Sequence, residues 1–543
     1  MTPQPPIAAA VVLGLLNHVY FNRFEPQNVN VSFLAIIVQP LALTLAFNAL
    51  SAANVLTTTS AFLATLTLSI GVYRLSPWHP LAHIPGPTLA KISKWWSVRL
   101  VLSGEQHRVF KALHDQYGDF VRVGPNEVSV IHVEAIKSVF GTGGFPKGQY
   151  YEPRVDPVHG TRSLLTSRGD AHANRRRIWN RGMSSESLRD FELILEKRLR
   201  QLLEHFDKFA STKSEIDMAA WFSYLMFDFM GDMAFGGGFE MLRDGKDNEG
   251  YWTLIKDGAK TIAVLSQLPW LAPALYKIPM LTRNTKRLRR FGAACAVNRA
   301  KSGPKLNKDL WFHLMDEEGH EKKRPTMADV IGDGVLAIIA GSDTSSVALS
   351  SFIWCLLSNP DVFARVQAEV DAVYPDPDSV FDSLKHGELR YLTACFNEAL
   401  RLFPPVPTGG PRQIPPGAVG VVAGKIIPEN TQVYVPAYAV HRNPRHFFPN
   451  PDKFDPDRWL RGGSSNEVLD HLAFIPFSYG AANCVGKGLA WREMLMVASA
   501  LLKRYELRFG AGMEENGSWV DALDDAFVTS VGGKLLVQLS PRA

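Results

Sequence analysis

Apolar residues follow two different patterns along the chain. In the first 73 residues three apolar runs, 7–21, 31–50 and 55–72, follow one another, and the only charged side chains there are Arg23 and Glu25. A helix that crosses a bilayer needs about 20 apolar residues, or about 17 at the short end. The second and third runs meet this length and the first is marginal. Beyond residue 75 the apolar positions recur with helical or alternating spacing, which predicts a folded body.

The N-terminal runs predict a membrane anchor over residues 1–74. Three crossings with a lumenal N-terminus would put both Arg23 and Arg74 in the cytosol, where flanking positive charge is expected. A single crossing by the third run, with the other two runs packed or interfacial, remains open. No basic segment precedes the first run, so a removed signal peptide is disfavoured. Residues 75–90 are proline-rich and predict a stiff hinge, and residues 91–543 form the body.

A long buried helix is predicted over residues 329–358. Thr326 and Asp329 resemble a capping box, and Asn359-Pro360 ends the helix. The segment is apolar nearly all round, so it is expected to lie in the core and to run for roughly 45 Å at about 1.5 Å per residue.

The middle of this helix reads AGSDTS, residues 340–345. Polar residues and glycine cost stability in a buried helix, and such a cost usually accompanies function. Gly341 is expected to let the helix open and approach a ligand. The Thr344 hydroxyl either bonds the Ala340 carbonyl or faces a pocket, and Asp343 is a candidate proton relay. A kink with satisfied polar groups is the alternative.

Other parts of the body carry weaker signals. Residues 120–131 alternate and predict two strands around a turn, whereas the long segment 141–166 has no period and is typical of a lid or binding loop. Residues 172–183 predict a basic helix, with His172 and Arg176 on one face. This helix either is solvated or binds carboxylates. Residues 187–288 predict a mostly helical, apolar cap.

Two arginines and one glutamate form a further candidate group. Glu398 and Arg401 stand three residues apart in a predicted helix, and Arg458 follows in the sequence FDPDRW. A surface pair of this kind contributes about 0–1 kcal/mol. In a buried pair, loss of one partner would cost about 3–5 kcal/mol.

Composition excludes some functions. The net charge is only +5 in 543 residues and is spread along the chain, so nothing indicates nucleic-acid binding. The four cysteines form no CxxC pair, no zinc spacing and no CxxCH motif. Scattered cysteines of this kind suit a reducing compartment.

One of these cysteines, Cys484, lies in the stretch FSYGAANCVG, residues 477–486. Phe477 opens this loop, and Gly480 and Gly486 allow a tight turn and close approach to a flat ligand. The apolar helix that follows is expected to favour the thiolate through its N-terminal dipole. Such a thiolate is a suitable axial ligand for haem iron. The alternative is an ordinary buried cysteine.

The ordered set AGSDTS, EALR, FDPDRW and FSYGAANCVG resembles the cytochrome P-450 superfamily of haem-thiolate monooxygenases. The resemblance extends from about residue 76 to the C-terminus, and the anchor and hinge look like fungal membrane-bound members. It implies a mainly α fold with small β-sheets, a long central helix over the haem and preceding transmembrane helices.

The resemblance also implies roles for individual residues. Cys484 would ligate the iron of haem b, with Phe477, Gly480 and Gly486 shaping its loop. Asp343 and Thr344 would guide protons to dioxygen beside Ala340 and Gly341. The propionates would be held by His172, Arg176 and Arg412, and Glu398, Arg401 and Arg458 would form a structural ion-pair network. Residues 405–409, 528–529 and 141–166 would line the pocket.

The sequence departs from the family pattern at Ala482. This position, two residues before the cysteine, usually carries arginine or another polar propionate partner, so one propionate lacks a charge-assisted bond unless Arg412, His172 or Arg176 compensates. The aromatic residue expected at the start of the propionate helix is also replaced, by His172.

The predicted activity is insertion of one oxygen atom from dioxygen into a C–H bond of a lipophilic substrate such as a terpenoid, sterol, fatty acid, other secondary metabolite or xenobiotic. Electrons would come from NADPH-cytochrome P-450 reductase, with cytochrome b5 as an optional donor, because the chain has no flavin or nicotinamide motif. A basic face with Arg175, Arg177 and Lys487 is the expected docking side, on a cytosolic domain at the endoplasmic reticulum. A haem-thiolate isomerase or dehydratase and a non-catalytic membrane haem protein are the alternatives.

Overall fold

In the part of the chain that the structure describes, helices dominate the architecture and short strands form five small sheets. The computed structural model describes residues 4–24, 29–47, 49–155, 160–302, 308–461, 467–513 and 518–542. Residues 156–159 of the predicted loop 141–166 lie outside the described residues. The mainly α composition with small β-sheets confirms the prediction from the sequence.

The α-helices are α1 Ile7–Phe24, α2 Val29–Phe33, α3 Gln39–Ala46, α4 Ala52–Leu75, α5 Thr88–Ile92, α6 Trp95–Ser103, α7 Gln106–Tyr117, α8 Glu134–Phe140, α9 Gly169–Gly182, α10 Ser185–Thr212, α11 Met218–Phe235, α12 Met241–Asp244, α13 Tyr251–Gln267, α14 Ala272–Leu275, α15 Pro279–Lys301, α16 Leu310–Leu314, α17 Met327–Leu357, α18 Pro360–Val373, α19 Arg390–Leu402, α20 Ala437–Val440, α21 Lys487–Arg504 and α22 Ser518–Asp521. A π-helical turn, Leu34–Val38, joins α2 to α3, and 3₁₀ turns occur at Gln149–Arg154, Pro377–Phe381, Ser383–Glu388, Pro456–Trp459 and Gly480–Ala482.

The strands are β1 Phe120–Gly124, β2 Glu127–Val130, β3 Glu215–Asp217, β4 Arg412–Gln413, β5 Gly420–Val422, β6 Lys425–Ile427, β7 Gln432–Tyr434, β8 Phe447–Phe448, β9 Val468–Leu469, β10 Tyr505–Phe509, β11 Leu523–Ala526, β12 Val528–Val531 and β13 Leu536–Pro541. The largest sheet has the order β1-β2-β7-β4, in which β2 and β7 are parallel. A second sheet has the order β10-β13-β3, and the pairs β11-β12, β5-β6 and β8-β9 complete the set.

The three N-terminal apolar runs form a small helical cluster of their own. Helices α1 and α4 are long and apolar enough to cross a membrane, and a 17-residue apolar helical segment, Asn30–Ala46, lies between them. At Gly14 the two long helices meet so closely that a Cβ would lie 3.0 Å from the Phe62 carbonyl oxygen. The Asn17 side-chain amide donates to Gln39 Oε1 at 2.6 Å. The three helical segments therefore contact each other through a glycine and a polar pair.

The proline-rich hinge is fixed to the body by a buried arginine. Arg122 of β1 is fully buried, and its guanidinium donates to the carbonyl oxygens of Arg74 at 3.0 Å and Pro125 at 2.9 Å. Its backbone N–H donates to the Pro85 carbonyl at 2.7 Å. Gly86 passes so close that a Cβ would lie 2.3 Å from the Arg122 carbonyl oxygen. These contacts hold the end of α4 against the first strand of the body.

Helix α17 crosses the centre of the body. It has the capping box predicted at Thr326 and Asp329 and continues without interruption to Leu357. Although it is long and apolar enough to cross a membrane, 67% of its most apolar stretch is buried inside the protein. It packs against α11, α19 and α21 in the main hydrophobic core, while a second core lies under the β1-β2-β7-β4 sheet. The site described next lies between α17 and α21.

Candidate active site

The loop before α21 places Cys484 at the centre of the candidate site. Gly480 has a φ of 74°, and a Cβ there would lie 1.9 Å from the Phe140 carbonyl oxygen, so only glycine fits. The Cys484 N–H donates to the Phe477 carbonyl oxygen at 2.9 Å, which closes the loop on itself. This folding turns the cysteine away from the outer surface and toward α17.

The Cys484 thiol faces an internal cavity of about 360 Å³. The side chain of Cys484 is exposed to this cavity, and the thiol is otherwise surrounded by protein. Burial raises the pKa of the thiol, and a hydrogen bond from the Gly486 N–H and the nearby Arg176 oppose the rise. The amide group at the start of the helix therefore favours the thiolate, as expected, but burial has the larger effect. Coordination to a metal ion deprotonates such a thiol.

The cavity wall opposite the cysteine is made by the middle of α17. Ala340, Gly341 and Thr344 all line it, and the Thr344 hydroxyl donates to the Ala340 carbonyl oxygen at 2.6 Å. The helix does not open at Gly341, contrary to the prediction. A Cβ at Gly341 would lie 2.4 Å from Met230 Cε on α11, so a larger residue would displace this flexible side chain. The small residue thus serves helix packing while bordering the cavity.

Asp343 does not border this cavity. It lines a second cavity of about 190 Å³ on another face of α17, together with Lys256, Asp217 and Thr529. Neighbouring residues on an α-helix point about 100° apart, so Asp343 and Thr344 reach different spaces. Burial raises the pKa of Asp343 to about 7, and the positive charge of Lys256 opposes the rise.

Basic side chains gather at one edge of the larger cavity. His172, Arg176 and Arg412 line it as predicted, and Lys147 joins them. No carboxylate lies within 4 Å of any of these four among the described residues. Arg412 is 7% exposed, and its buried Nε has no hydrogen-bond partner. This edge therefore lacks the anionic partner that buried cations require.

Arg176 connects this group of cations to the cysteine loop. Its guanidinium donates to the carbonyl oxygen of Asn483 at 2.6 Å and to Oδ1 of the same residue at 2.7 Å. Burial and the positive charges of Lys147, Arg176 and Arg412 lower the pKa of His172 to about 4, so its imidazole is neutral. A neutral imidazole still donates one hydrogen bond.

Two residues of the cavity wall were missed by the sequence analysis. Lys147 lies in the aperiodic segment before the 3₁₀ turn and has no motif to mark it. Glu493 of α21 is 1% exposed and accepts a hydrogen bond from the Ser345 hydroxyl at 2.6 Å. Burial raises the pKa of Glu493 to about 7. In the sequence, the only indication that Glu493 belongs to the site was its position nine residues after Cys484.

The predicted ion-pair group is buried and complete. Arg401 donates to both carboxylate oxygens of Glu398 at 2.8 and 2.9 Å, and Arg458 Nε donates to Glu398 at 3.0 Å. The Trp459 indole N–H and the Asp455 backbone N–H donate to the same carboxylate. None of these three ionic side chains lines the cavity, so the group braces α19 against the segment that contains Arg458.

The expected basic docking face is only partly present. Arg175 lies against α17, where it pairs with Asp329 at 2.7 Å and Asp333 at 2.8 Å. Arg177 is exposed but pairs with Glu321. Lys487 is exposed at the start of α21, with its ammonium 5.7 Å from the centre of the Phe477 ring. Arg175 is therefore removed from the proposed face, because its charge is neutralised inside the protein.

Comparison with known proteins gives one consistent result. The family model for cytochrome P450 matches residues 85–518. The chain is 33% identical over 544 residues to the cytochrome P450 monooxygenase FCK2 of Fusarium pseudograminearum, covering 97% of this chain and 96% of that protein. It is 31% identical over 522 residues to averantin hydroxylase of Dothistroma septosporum, with 93% and 94% coverage. It is also 32% identical over 483 residues to tryprostatin B 6-hydroxylase of Aspergillus fumigatus, with 87% and 83% coverage.

Proposed function

The chain belongs to the cytochrome P450 family, and from this premise we propose that it is a membrane-bound monooxygenase that hydroxylates a lipophilic secondary metabolite. The observation that carries the proposal is the Cys484 thiol facing an internal, mainly apolar cavity across from Thr344 on α17. A haem b bound in this cavity would be held by Cys484 as its thiolate ligand. When bound, the haem supplies the activation of dioxygen, and the protein supplies orientation and protons.

The residues around the cavity fit a haem. A flat, apolar group with two carboxylates needs an apolar slot with cations at one edge. The cavity offers such an edge at His172, Arg176 and Arg412, which have no carboxylate partner among the described residues. The unpartnered Nε of Arg412 is a donor that a carboxylate oxygen would satisfy. These three residues are therefore proposed to hold the propionates.

We propose that protons reach the larger cavity by way of two neighbouring side chains of α17. Asp343 faces the smaller cavity, which also contains Lys256 and Asp217, and its pKa of about 7 suits proton exchange near neutral pH. The next residue, Thr344, borders the larger cavity with its hydroxyl. Asp343 would accept a proton from the smaller cavity, and Thr344 would hold the last hydrogen bond on the path.

The proposed substrate is lipophilic because the rest of the wall is apolar. Leu336, Ala337, Val406, Phe527 and Val528 all border the cavity. The predicted lining segments contribute residues here, except that Thr529 faces the smaller cavity. Two relatives are named as hydroxylases of averantin and tryprostatin B, and this supports hydroxylation as the reaction of this chain.

The proposed location is the membrane of the endoplasmic reticulum, with the body in the cytosol. Residues 1–74 would cross the bilayer three times, because α1, the segment Asn30–Ala46 and α4 pack against one another and the C-terminal end of α4 joins them to the body. Electrons would come from NADPH-cytochrome P-450 reductase, with cytochrome b5 as an optional donor. Lys487 is the exposed cation next to the cysteine loop at which docking is proposed.

A carbon monoxide difference spectrum of the reduced microsomal protein tests the proposal. We expect the strongly red-shifted Soret band of a thiolate-ligated haem, and its loss in Cys484→Ser. A band at the position typical of histidine ligation, or wild-type protein that contains no haem, would overturn it. Thr344→Ala is expected to keep the wild-type spectrum. In an assay with reductase and a substrate that the wild type oxidises, it is expected to release more hydrogen peroxide per NADPH consumed than wild type.

A further inference from the structure

The cysteine loop contributes no charge of its own to the cavity. Residues 477–486 contain no lysine, arginine or histidine, and Ala482 presents only a methyl group to the cavity wall. Every cation at the cavity edge must therefore come from another element. His172 and Arg176 come from α9 and Arg412 from β4. The edge has one further source of positive charge, which lies outside these two elements.

That source is Lys147, whose backbone is fixed beside Arg412. The two residues form an isolated antiparallel β-bridge, and the Gln413 N–H donates to the Pro146 carbonyl oxygen at 2.9 Å. The Gln413 side chain accepts a hydrogen bond from the Gln149 N–H at 2.9 Å. At Gly148, a Cβ would lie 2.2 Å from Gln413 Oε1, so the segment lies tightly against β4. The position of Lys147 in the cavity wall is thus specified by several contacts.

The Lys147 ammonium is buried with too few acceptors. The residue is 8% exposed, and among the described residues its Nζ donates to one group, the Leu164 carbonyl oxygen, at 3.2 Å. An ammonium has three donors. Its charged neighbours are Arg412, Arg176 and Arg168, and of these only Arg168 has a carboxylate partner, Glu152. A buried lysine among arginines either loses its proton or needs an anion beside it.

We propose that Lys147 is a propionate-binding residue that compensates for Ala482. Resting on the haem function proposed above, this assigns one haem carboxylate to Lys147 and Arg412 jointly, from the β-bridged side of the cavity. The cysteine loop then needs no cation of its own.

The acid–base state of the lysine is consistent with this assignment. Burial and the neighbouring arginines lower the pKa of Lys147 to about 7 in the haem-free protein. A carboxylate beside it would favour the charged form and raise the pKa again. A lysine that served only to anchor Leu164 would gain nothing from its arginine neighbours.

Haem retention by the full-length holoprotein tests the proposal. The rate of haem transfer from detergent-solubilised protein to excess apomyoglobin would be measured, with haem content per chain as a second readout. Because it removes a charge-assisted hydrogen bond, Lys147→Met is expected to lose haem about ten- to a hundredfold faster than wild type. Lys147→Arg is expected to stay near the wild-type rate, and Lys137→Met, an exposed lysine on α8, to equal it.

The decisive variant restores a cation on the cysteine loop. Ala482→Arg combined with Lys147→Met is expected to return haem retention toward the wild-type rate. If Lys147→Met yields no haem protein at all, recovery in this double variant supports the proposal and continued failure overturns it. Wild-type retention in Lys147→Met also overturns it. Wild-type protein that binds no thiolate-ligated haem would instead overturn the proposed function.

Discussion

Two groups of buried cationic side chains in this protein differ in how their charge is balanced. Arg401 and Arg458 share the carboxylate of Glu398, and the remaining N–H groups donate to backbone carbonyls such as that of His441. Arg412, with Lys147 beside it, has no carboxylate among the described residues. Both groups are buried to a similar degree. The difference indicates that the first group is structural, because a carboxylate of the same chain balances its charge. It supports the proposal that the second group binds an anionic ligand.

The largest expected effect comes from breaking the complete group. Glu398→Gln leaves two buried guanidinium groups without a negative charge, which is expected to lower the free energy of unfolding by about 3–5 kcal/mol. Urea titration of the solubilised holoprotein, followed by tryptophan fluorescence, measures this loss. Replacing the ion pair together, as Glu398→Gln with Arg401→Met, is expected to recover part of it. Stability unchanged from wild type in the single variant would show that the charges are balanced elsewhere.

Breaking the incomplete group is expected to affect the ligand more than the fold. Arg412→Met removes a cation that has no carboxylate partner in the described part of the chain, so the haem-free protein should unfold at the same urea concentration or a higher one. The holoprotein should release haem about tenfold faster, which corresponds to about 1.4 kcal/mol. The apomyoglobin transfer assay and a urea titration of haem-free protein report the two effects separately. A large loss of stability in the haem-free variant would place Arg412 with the structural group.

The pH dependence of the haem-free protein sharpens the comparison further. The pKa of Lys147 is about 7 when folded, against its ordinary 10.5, so between these values the unfolded chain binds more protons. The free energy of unfolding should therefore rise with pH above about 7, by at most about 1.4 kcal/mol per unit. Lys147→Met should flatten this rise, and Lys137→Met should not. Equal slopes in wild type and Lys147→Met, by urea titration from pH 7 to 9, would contradict the assignment.

The smallest effect is expected from an ion pair at the surface. Arg177 is exposed and pairs with Glu321, and water and salt screen such a pair. Arg177→Met should leave the urea midpoint and the haem transfer rate unchanged. It is the matched control for loss of one arginine, and a clear shift in either measurement would mean that exposure is a poor guide to the role of arginines in this protein.

The sequence predicts what depends on local pattern. The capping box and apolar composition located α17 to within two residues at each end, and the spacing around Cys484 identified the loop that faces the cavity. Local pattern left burial undecided for Glu398 and Arg401, since an i, i+3 pair looks the same on the surface and in the core. The fold decides this by covering α19.

Other features depend on contacts between distant segments. Lys147 enters the cavity wall only because its backbone pairs with Arg412, which lies far along the chain. The separation of Asp343 from Thr344 depends on how α17 is rotated between two cavities, and no pattern within the helix specifies that rotation. The contact of Gly341 with Met230 also comes from another helix, so the sequence of α17 alone did not predict it.

The buried Arg122 has a consequence for protein engineering. A shortened form that lacks the N-terminal apolar helices and starts at residue 76 would remove the Arg74 carbonyl oxygen that accepts from Arg122 at 3.0 Å. One buried guanidinium N–H would then lack its acceptor, at a cost of about 1–3 kcal/mol. A form that starts a few residues earlier, and so keeps Arg74 with its bond to the Ile92 carbonyl oxygen, should express with a more stable catalytic body than the shorter one.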